Sequence, residues 1–397
     1  MDCLIELYDS EPLNNLIDVF AFRPKKVVFL YDGKLTPFSA LKSLENAIKL
    51  KLPNLQFEIE NTSFRNLETL RLSCKRILNK NGDGSYVDIT GGGELSAIGA
   101  YLACVDSFTP IFWVDVVEGN LVSAHGCKSM EGPLEMPRLS LDTLLLAHGA
   151  AIGGYGHPKP PSELFDPLLT FCDAVFSDIS LWKELCFYLQ TACTTFDSPG
   201  DPLSFHAPDH VSAPGGKASP PNDDLLKLAD RLGLIRQFHH KGKTISFRFH
   251  SDSVKKYLTD FGTCLELFTF ITLCRCPAFH DVRISVKVDW NGMRQQKLVE
   301  ITNEIDVTLF CGIHPVFISC KLSEPSSEAL QELSVYRSYF GGRHSRCILV
   351  TLAAIHKDRS YVFARAKEMG ITLLDGSVIR SGKLAEAVQQ AVANPCR

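Results

Sequence analysis

The sequence lacks the long apolar runs that mark membrane proteins. No run reaches the roughly 18 residues needed to cross a bilayer. The first ten residues, MDCLIELYDS, do not place a basic flank before an apolar stretch, as a signal peptide would. We therefore expect a cytoplasmic protein with no membrane partner.

A large excess of charge is absent too. The formal net charge is −4 over 397 residues, which argues against a strongly basic scaffold that coats nucleic acid. A local basic groove remains compatible with this total. The composition, 45% hydrophobic and 22% charged, is that of a globular protein, and the length predicts two or three domains.

Paired metal-binding motifs are also missing, although the chain has 14 cysteines. Most lie in apolar segments, as Cys104 and Cys320 do, which predicts reduced and buried thiols. Cys274 and Cys276 come nearest to a zinc motif. No second Cys or His pair stands at finger distance from them, so structural zinc is disfavoured.

The first 150 residues alternate short apolar runs with helical periodicity. Runs such as CLIELY, KVVFLY and IFWVDV predict strands that are buried on both faces. The fold class is therefore α/β, with an N-terminal Rossmann-like parallel sheet in residues 1–150. Leu95, Ile98 and Leu102 recur along one face of the helix after the fourth predicted strand.

A glycine-rich segment, TGGGE at residues 90–94, follows that fourth strand. Gly91, Gly92 and Gly93 allow backbone amides to approach an anion at a helix N-terminus. Thr90 can cap the helix or bond a phosphate. A plain tight turn is the alternative. A dinucleotide fingerprint fits less well, because it follows the first strand of its fold.

Residues 151–255 show a different pattern and are predicted to be a spacer. Residues 194–223 are rich in Pro, Gly, Ser and Asp, which predicts a long loop or disordered insertion. DDLLKLADRLGLI then predicts an amphipathic helix, and TISFRFHS predicts a strand. This helix with a small β-wing suggests a winged-helix-like spacer, and a plain connector is equally compatible.

Residues 256–397 are predicted to form the C-terminal domain. One long helix over residues 253–273 leads into it, and then a strand places Val282, Ile284, Val286 and Val288 on one face. Asn291–Gly292 is a strong hairpin-turn signal. The strands EIDVTLF and PVFISCK follow, joined by a tight turn at residues 311–315, and then a helix and the strand CILVTL.

The two strands around that tight turn carry a chemical cluster. Period-2 alternation places Glu304 and Asp306 on one face, and likewise Ser319 and Lys321. Two carboxylates and a lysine suit Mg²⁺ or Mn²⁺ and the hydrolysis of a phosphodiester. The alternative is a solvated charged face on a surface hairpin, and a lysine that closes an apolar strand favours the site.

In the order helix–β–β–β–helix–β, these residues resemble the PD-(D/E)xK nuclease family. The resemblance implies a restriction-endonuclease-like fold in which Glu266, Asp306 and Lys321 are catalytic. It also implies that Mn²⁺ or Mg²⁺ is held by Glu266, Asp306 and the backbone carbonyl of Cys320.

The sequence departs from that family at Ser319, where the family has Glu or Asp. Glu304 is one candidate replacement for the missing carboxylate. Gln331 and Tyr336 resemble a Gln and a Tyr found on the next helix of some relatives, at a different spacing.

The segments LIELYDSEPLNNL, VVFLYD and DITGGGE resemble the CARF domain, a Rossmann-like sensor of cyclic oligoadenylates in type III CRISPR immunity. The resemblance implies that a ligand lies over the first β–α loop and the glycine-rich loop, at the two-fold axis of a homodimer. The ligand-binding residues are then Asp9, Ser10, Asn14, Thr90, Gly91, Gly92, Gly93 and Glu94.

CARF joined to PD-(D/E)xK describes a group of CRISPR ancillary nucleases. The resemblance implies a metal-dependent endonuclease, activated by cyclic tetra-adenylate, that cuts single-stranded DNA or RNA in antiviral defence. The alternative is a non-catalytic sensor whose degenerate nuclease domain binds nucleic acid or a partner. We interpret His148, His157 and the tandem His239–His240 as packing or surface histidines.

Overall fold

The computed structural model describes residues 1–196, 200–212, 218–290, 292, 302–355 and 360–395. Within these residues the strands form sheets of seven, six, three and two strands. The helices of this part of the chain are all too short or too polar to cross a membrane.

The seven-stranded sheet occupies the N-terminal part. Its strands are β1 (Cys3–Leu7), β2 (Lys26–Tyr31), β3 (Gln56–Asn61), β4 (Ser85–Asp88), β5 (Ile111–Asp115), β6 (Asn120–His125) and β7 (Gly132–Pro133). Their order is β3–β2–β1–β4–β5–β6–β7, and the first five are parallel. The accompanying helices are α1 (Pro12–Phe22), α2 (Phe38–Lys51), α3 (Leu67–Asn81), α4 (Glu94–Ser107) and α5 (Leu141–Ala147). The predicted parallel sheet is confirmed.

The strand order reverses between β1 and β4. The chain leaves β1 toward one side of the sheet and β4 toward the other, which opens a crevice at the carboxyl ends of the two strands. The first β–α loop and the glycine-rich loop therefore lie side by side at this point.

The middle of the chain is built from two long helices and small strands. Its elements are β8 (Ala151–Tyr155), α6 (Phe165–Ser177), α7 (Ile179–Thr195), β9 (Ser204–Pro208), β10 (Val211–Ser212), β11 (Ala218–Ser219), α8 (Asp223–Arg231), β12 (Ile235–Lys241), β13 (Thr244–Phe249) and α9 (Asp252–Thr259). The predicted helix and wing correspond to α8 and the β12–β13 hairpin. β8 belongs to the C-terminal sheet, where it pairs with the strand His280–Asp289.

The prediction of a loop or disordered linker over residues 194–223 is wrong where this segment forms the strands β9, β10 and β11. β9 pairs antiparallel with β13 across five residues, and two of its own side chains, Phe205 and Ala207, are buried. Pro208 obscured this strand in the sequence. β9 is the edge strand of its sheet, where proline is tolerated because its nitrogen need not donate.

The C-terminal part holds the six-stranded sheet. Its elements are α10 (Thr263–Cys274), β14 (His280–Asp289), β15 (Thr302–Cys311), β16 (His314–Lys321), α11 (Ser327–Phe340), β17 (Arg346–Thr351), α12 (Tyr361–Glu368), β18 (Ile371–Leu374), α13 (Gly376–Arg380) and α14 (Leu384–Ala393). The sheet order is β18–β17–β16–β15–β14–β8. The predicted hairpin of β15 and β16 is confirmed. Asn291 of the predicted Asn291–Gly292 turn lies outside the described residues.

The single long helix predicted over residues 253–273 is two helices, α9 and α10. Asp260 causes the break, because its carboxylate accepts the backbone N–H of Gly262 at 3.0 Å. An aspartate that bonds to nearby backbone in this way competes with helix formation. The break places Glu266 in the first turn of α10.

The predicted single face of Val282, Ile284, Val286 and Val288 is also wrong. Ile284 packs in one hydrophobic cluster, whereas Val286 and Val288 pack in another on the opposite side of the sheet. The cause is Ser285, whose φ of +49° interrupts the alternation as a bulge does.

A continuous hydrophobic cluster joins the two large sheets. It contains Leu13 and Leu16 of α1, Leu144 of α5, and Phe317 and Phe340 of the C-terminal part. The N-terminal loops and the C-terminal sheet therefore belong to one packed body.

Candidate active site and ligand loops

Asp306 lies where β15 separates from β16. The ladder between these strands runs from Cys311 to Val307 and ends there. The Asp306 carboxylate replaces the next ladder bond, because its Oδ2 accepts the N–H of Cys320 at 2.7 Å. The Ser319 hydroxyl donates to the same oxygen at 3.2 Å.

The expected shared face of Glu304 and Asp306 does not result from simple alternation. Ile305 packs in the cluster that holds Phe317, whereas Val307 packs in the opposite one. The Glu304 carboxylate instead lies over Gly156, where an added Cβ would meet Glu304 Oε1 at 2.0 Å.

Glu266 reaches the same region from α10. Its Oε2 accepts a hydrogen bond from the Ser285 hydroxyl at 3.1 Å. Burial, and then the Asp306 carboxylate, raises the pKa of Glu266 to about 8. A neutral carboxyl group next to another carboxylate is a site where a cation would restore the ionised form.

Lys321 completes the cluster at the end of β16. Its Nζ lies 3.7 Å from Asp306 Oδ2. The Cys320 side chain points away, with its thiol 3.7 Å from the Thr269 hydroxyl in the core. Only the backbone of Cys320 therefore faces the acidic groups.

Glu332 was missed by the sequence analysis. It lies on α11, and its pKa is raised by burial and by Asp306 and lowered by Lys321. Tyr336, one turn later, directs its hydroxyl at the Glu304 carbonyl (3.0 Å) and at Glu332 Oε1 (3.3 Å). Gln331 is exposed. The i, i+4 spacing of Glu332 and Tyr336 was the signal that could have found the pair.

The first β–α loop is held together by its own polar side chains. Asp9 accepts the N–H of Glu11 at 2.8 Å and the Asn14 amide at 3.0 Å. The Asp9 N–H donates to Asn15 Oδ1 at 2.9 Å, and Ser10 is exposed. Asp9 and Asn14 therefore shape the loop, and Ser10 faces outward.

The glycine-rich loop packs tightly against that first loop. A Cβ added at Gly91 would lie 2.6 Å from the carbonyl oxygen of Leu7, and Gly92 has a φ of +80°. The amides of Thr90 and Gly93 donate to Asp88 and to Ser96. These two amides are therefore already satisfied inside the protein.

A buried acidic cluster lies beneath both loops. Glu6, Asp18 and Asp88 are fully buried, with one oxygen of each within 4.8 Å of the others. Burial raises the pKa of Glu6 and of Asp18, and the charge on Asp88 raises both further. Burial raises the pKa of Asp88 as well, whereas the Thr90 hydroxyl and amide, which donate to Asp88 at 2.5 Å and 2.8 Å, lower it.

Among the described residues, this is the only group of three candidate metal ligands that is so compact. The oxygens of Glu266, Glu304 and Asp306 are farther apart than that. Burial raises the pKa of Glu266 and the charges of Asp306 and Glu304 raise it further, so the three groups are close enough to interact. Their oxygens would have to move closer together to bind one cation.

The first β–α loop also touches the C-terminal part. Residues of this loop and of the end of α11 line a cavity of about 210 Å³, among them Ser10, Glu11, Tyr339 and Gly342. His344 is buried and its Nε2 lies 2.9 Å from Asn14 Oδ1. A hydrogen bond therefore connects a predicted ligand loop to the segment after α11.

The histidines singled out in the sequence have different surroundings, and His157 lies beside the carboxylate cluster, because it follows Gly156, over which the Glu304 carboxylate lies. The His148 ring packs edge-on against Phe340. His157 Nε2 lies 3.0 Å from the Thr263 hydroxyl at the start of α10. His239 is exposed on β12, and its neighbour His240 pairs with an aspartate at 2.9 Å.

No protein-family model matches the chain, and no curated protein sequence matches it significantly. Solved structures share its α/β fold along the whole length. Protein VC1899 from Vibrio cholerae matches with a TM-score of 0.76 and 16% identity, covering 99% of both chains.

Two further solved structures also share the fold. Can2 from Sulfobacillus thermosulfidooxidans, in complex with cyclic tetra-adenylate, matches with a TM-score of 0.69 and 15% identity, over 99% of this chain and 100% of Can2. A type III CRISPR defence DNA nuclease activated by cyclic oligoadenylate matches with a TM-score of 0.51 and 15% identity, over 88% of this chain and 45% of the nuclease.

Proposed function

We propose that the protein is a metal-dependent endonuclease of type III CRISPR antiviral defence, activated by cyclic tetra-adenylate, that cuts single-stranded DNA or RNA. The observation that carries this proposal is the Asp306–Lys321 pair at the point where β15 and β16 separate. Glu266 converges on the same point from α10. The fold shared end to end with Can2 supports the activator.

The residues of the proposed active site fit a hard divalent cation. Glu266, Glu304 and Asp306 offer carboxylate oxygens, with the Cys320 carbonyl beside them, and oxygen is the ligand that Mg²⁺ and Mn²⁺ prefer. Burial, and then the negative charge of Asp306, raises the pKa of Glu266, and a bound cation would offset the charge. When bound, the ion would polarise the phosphate and acidify a water.

The protein's own groups would then carry the remaining tasks. Asp306 is held rigidly by the Cys320 N–H and the Ser319 hydroxyl, so it fixes the position of the cluster. Lys321, partly exposed at the strand end, would orient the attacking water or stabilise the charge that develops on the phosphate.

The proposed activator site is the crevice between the two N-terminal loops. We assign to it Asp9, Ser10 and Asn14 of the first loop and Thr90, Gly91, Gly92, Gly93 and Glu94 of the second, and of these Ser10, Gly93 and Glu94 are exposed. This crevice lies at the switch point of the sheet, where α/β proteins bind ligands.

An exposed apolar face supports a homodimer. The predicted apolar face of α4 points to solvent in the single chain. Its residues Leu95, Ile98 and Leu102 are 41%, 50% and 39% exposed. An apolar stripe of this kind marks an interaction surface. Two protomers joined near α4 would bring two glycine-rich loops together, since α4 begins at that loop.

Cleavage of labelled single-stranded DNA and RNA by the full chain with Mn²⁺, with and without cyclic tetra-adenylate, tests the proposal. We expect cleavage only when both are present. Asp306→Ala and Lys321→Ala should abolish it, and Glu328→Ala, an exposed acid on α11, should not. Equal rates with and without the cyclic nucleotide would rule out the switch, and full activity of either site variant would rule out the assigned site.

Ser319 favours a second candidate function, a sensor without catalysis. A serine cannot replace the charged ligand expected at this position, and the nuclease domain would then only bind nucleic acid or a partner. Calorimetric titration with Mn²⁺ separates the two functions, because the sensor would neither bind the ion nor cleave.

A further inference from the structure

The proposed active site has a gap at Ser319. This residue precedes Lys321 by two positions on β16, so the two side chains share a face of the strand. Ser319 donates to Asp306, which fixes that carboxylate but adds no negative charge. A cation at this point would lack the second acidic ligand on this side of the sheet.

Glu332 lies on the helix that covers the same face. Phe317, on the same face of β16, packs in one cluster with Leu330 and Leu333 of α11. The α11 helix therefore lies against the side of β16 that bears Ser319 and Lys321. Leu330 and Leu333 are buried, Gln331 is exposed, and Glu332 is half-buried. Glu332 therefore lies at the edge of the buried face of α11.

The hydroxyl of Tyr336 holds Glu332 toward the acidic cluster. It bridges Glu332 Oε1 at 3.3 Å and the Glu304 carbonyl at 3.0 Å. Glu304 is two residues from Asp306. Burial raises the pKa of Glu332, the Asp306 charge raises it further, and the Lys321 charge lowers it.

We propose that Glu332 is an acidic metal ligand of this site and supplies, from α11, the carboxylate that β16 lacks at Ser319. This inference rests on the proposed nuclease function. It makes Glu332, in place of Glu304, the residue that compensates for Ser319, because Glu332 lies on the helix packed against the face of β16 that bears Ser319.

Mn²⁺ affinity, measured by calorimetry and by the electron paramagnetic resonance of free Mn²⁺, tests the inference on the full chain. Glu332→Gln keeps the size and the hydrogen bond to Tyr336 but removes the charge. We expect its Mn²⁺ affinity to fall by about tenfold or more, as loss of even an outer-shell partner typically does. Glu328→Gln makes the same change one turn earlier on an exposed position, and its affinity should equal that of the wild type.

A second variant separates direct ligation from a structural role. Ser319→Asp combined with Glu332→Gln returns a carboxylate to β16, and we expect Mn²⁺ affinity and cleavage to recover together. Wild-type affinity in Glu332→Gln, or no recovery in the double variant while its melting temperature is unchanged, would overturn the inference. A wild-type protein that neither binds Mn²⁺ nor cleaves would instead overturn the proposed function.

Discussion

The pKa of the Glu266 carboxyl group reflects the burial and the negative charge of the proposed active site. Burial and the nearby Asp306 raise its pKa from the ordinary 4.5 to about 8. The folded protein therefore binds a proton at neutral pH that the unfolded chain releases. Because the folded pKa is the higher one, the stability tied to this proton is lost as pH rises toward and through 8.

Glu266→Gln should remove this pH dependence in the metal-free protein. Between pH 6 and pH 9 we expect the wild type to lose on the order of 2 kcal/mol more unfolding free energy than the variant. Urea denaturation in the presence of a chelator measures the difference. At pH 5 the two proteins should differ little, and parallel pH profiles would contradict the raised pKa.

At the scale of single elements, the glycine-rich loop needs glycine mainly because a side chain would collide with the neighbouring backbone. Gly91 lies against the Leu7 carbonyl, and a methyl group there would come within 2.6 Å of it, whereas nothing lies within 4 Å of a Cβ at Gly93. The two neighbouring glycines therefore differ in what they tolerate, although the sequence makes them look alike.

Gly91→Ala should lower the affinity for cyclic tetra-adenylate about tenfold, because overpacking of this size costs roughly 1–3 kcal/mol and must displace the loop. A Cβ at Gly93 meets no protein atom, so we expect Gly93→Ala to lose less affinity than Gly91→Ala. Isothermal titration calorimetry measures both, and Mn²⁺ affinity serves as a check that the nuclease part is intact. Similar affinities in the two variants would show that the ligand does not depend on this loop.

Regular elements could be predicted from the sequence, whereas their irregularities could not. Apolar runs and alternation gave the parallel strands and the β15–β16 hairpin, because burial imposes these periods. Ser285 adopts a left-handed conformation that serine rarely prefers, so nothing in the sequence marked it. The Ser285 hydroxyl donates to Glu266, so the same irregularity also made the geometry of the proposed active site unpredictable.

Contacts between segments that are far apart in the sequence could not be predicted either. Glu332 belongs to the acidic cluster only because α11 packs over β16, and the strand β9 forms only because β13 offers it an edge. Such long-range packing overrides local composition. The spacing of Glu332 and Tyr336 was visible in the sequence, but no local rule tied that pair to Asp306.

For the whole molecule, the apolar face of α4 predicts the oligomeric state. Ile98→Asp introduces a charge into the centre of that face, and burial of an unpaired charge at an interface is costly. We expect the variant to be monomeric and to lose stimulation by the cyclic nucleotide. Leu181→Asp, on an exposed apolar position of α7, should leave the mass unchanged in light-scattering measurements. A dimeric Ile98→Asp protein would place the interface elsewhere.

His344 connects the proposed ligand loops to the segment that follows α11. Burial, with the nearby Arg343 charge, lowers the pKa of His344 to about 4. The ring is therefore neutral at physiological pH and can donate from Nε2 to Asn14 at 2.9 Å. The same segment follows α11, which carries Glu332 and Tyr336. A ligand that shifts Asn14, at the start of α1, would thus act on α11, which covers the proposed active site, provided the ligand prefers one arrangement.

His344→Phe keeps the shape of the ring and removes this hydrogen bond. Loss of a buried hydrogen bond costs about 1–3 kcal/mol, so we expect the stimulation of cleavage by cyclic tetra-adenylate to fall about tenfold. Mn²⁺ affinity should not change, because His344 does not touch the carboxylate cluster. His250→Phe, in the β12–β13 region, is the matched control and should be stimulated like the wild type. Undiminished stimulation in His344→Phe would mean that the signal reaches the active site through the dimer interface instead of within the protomer.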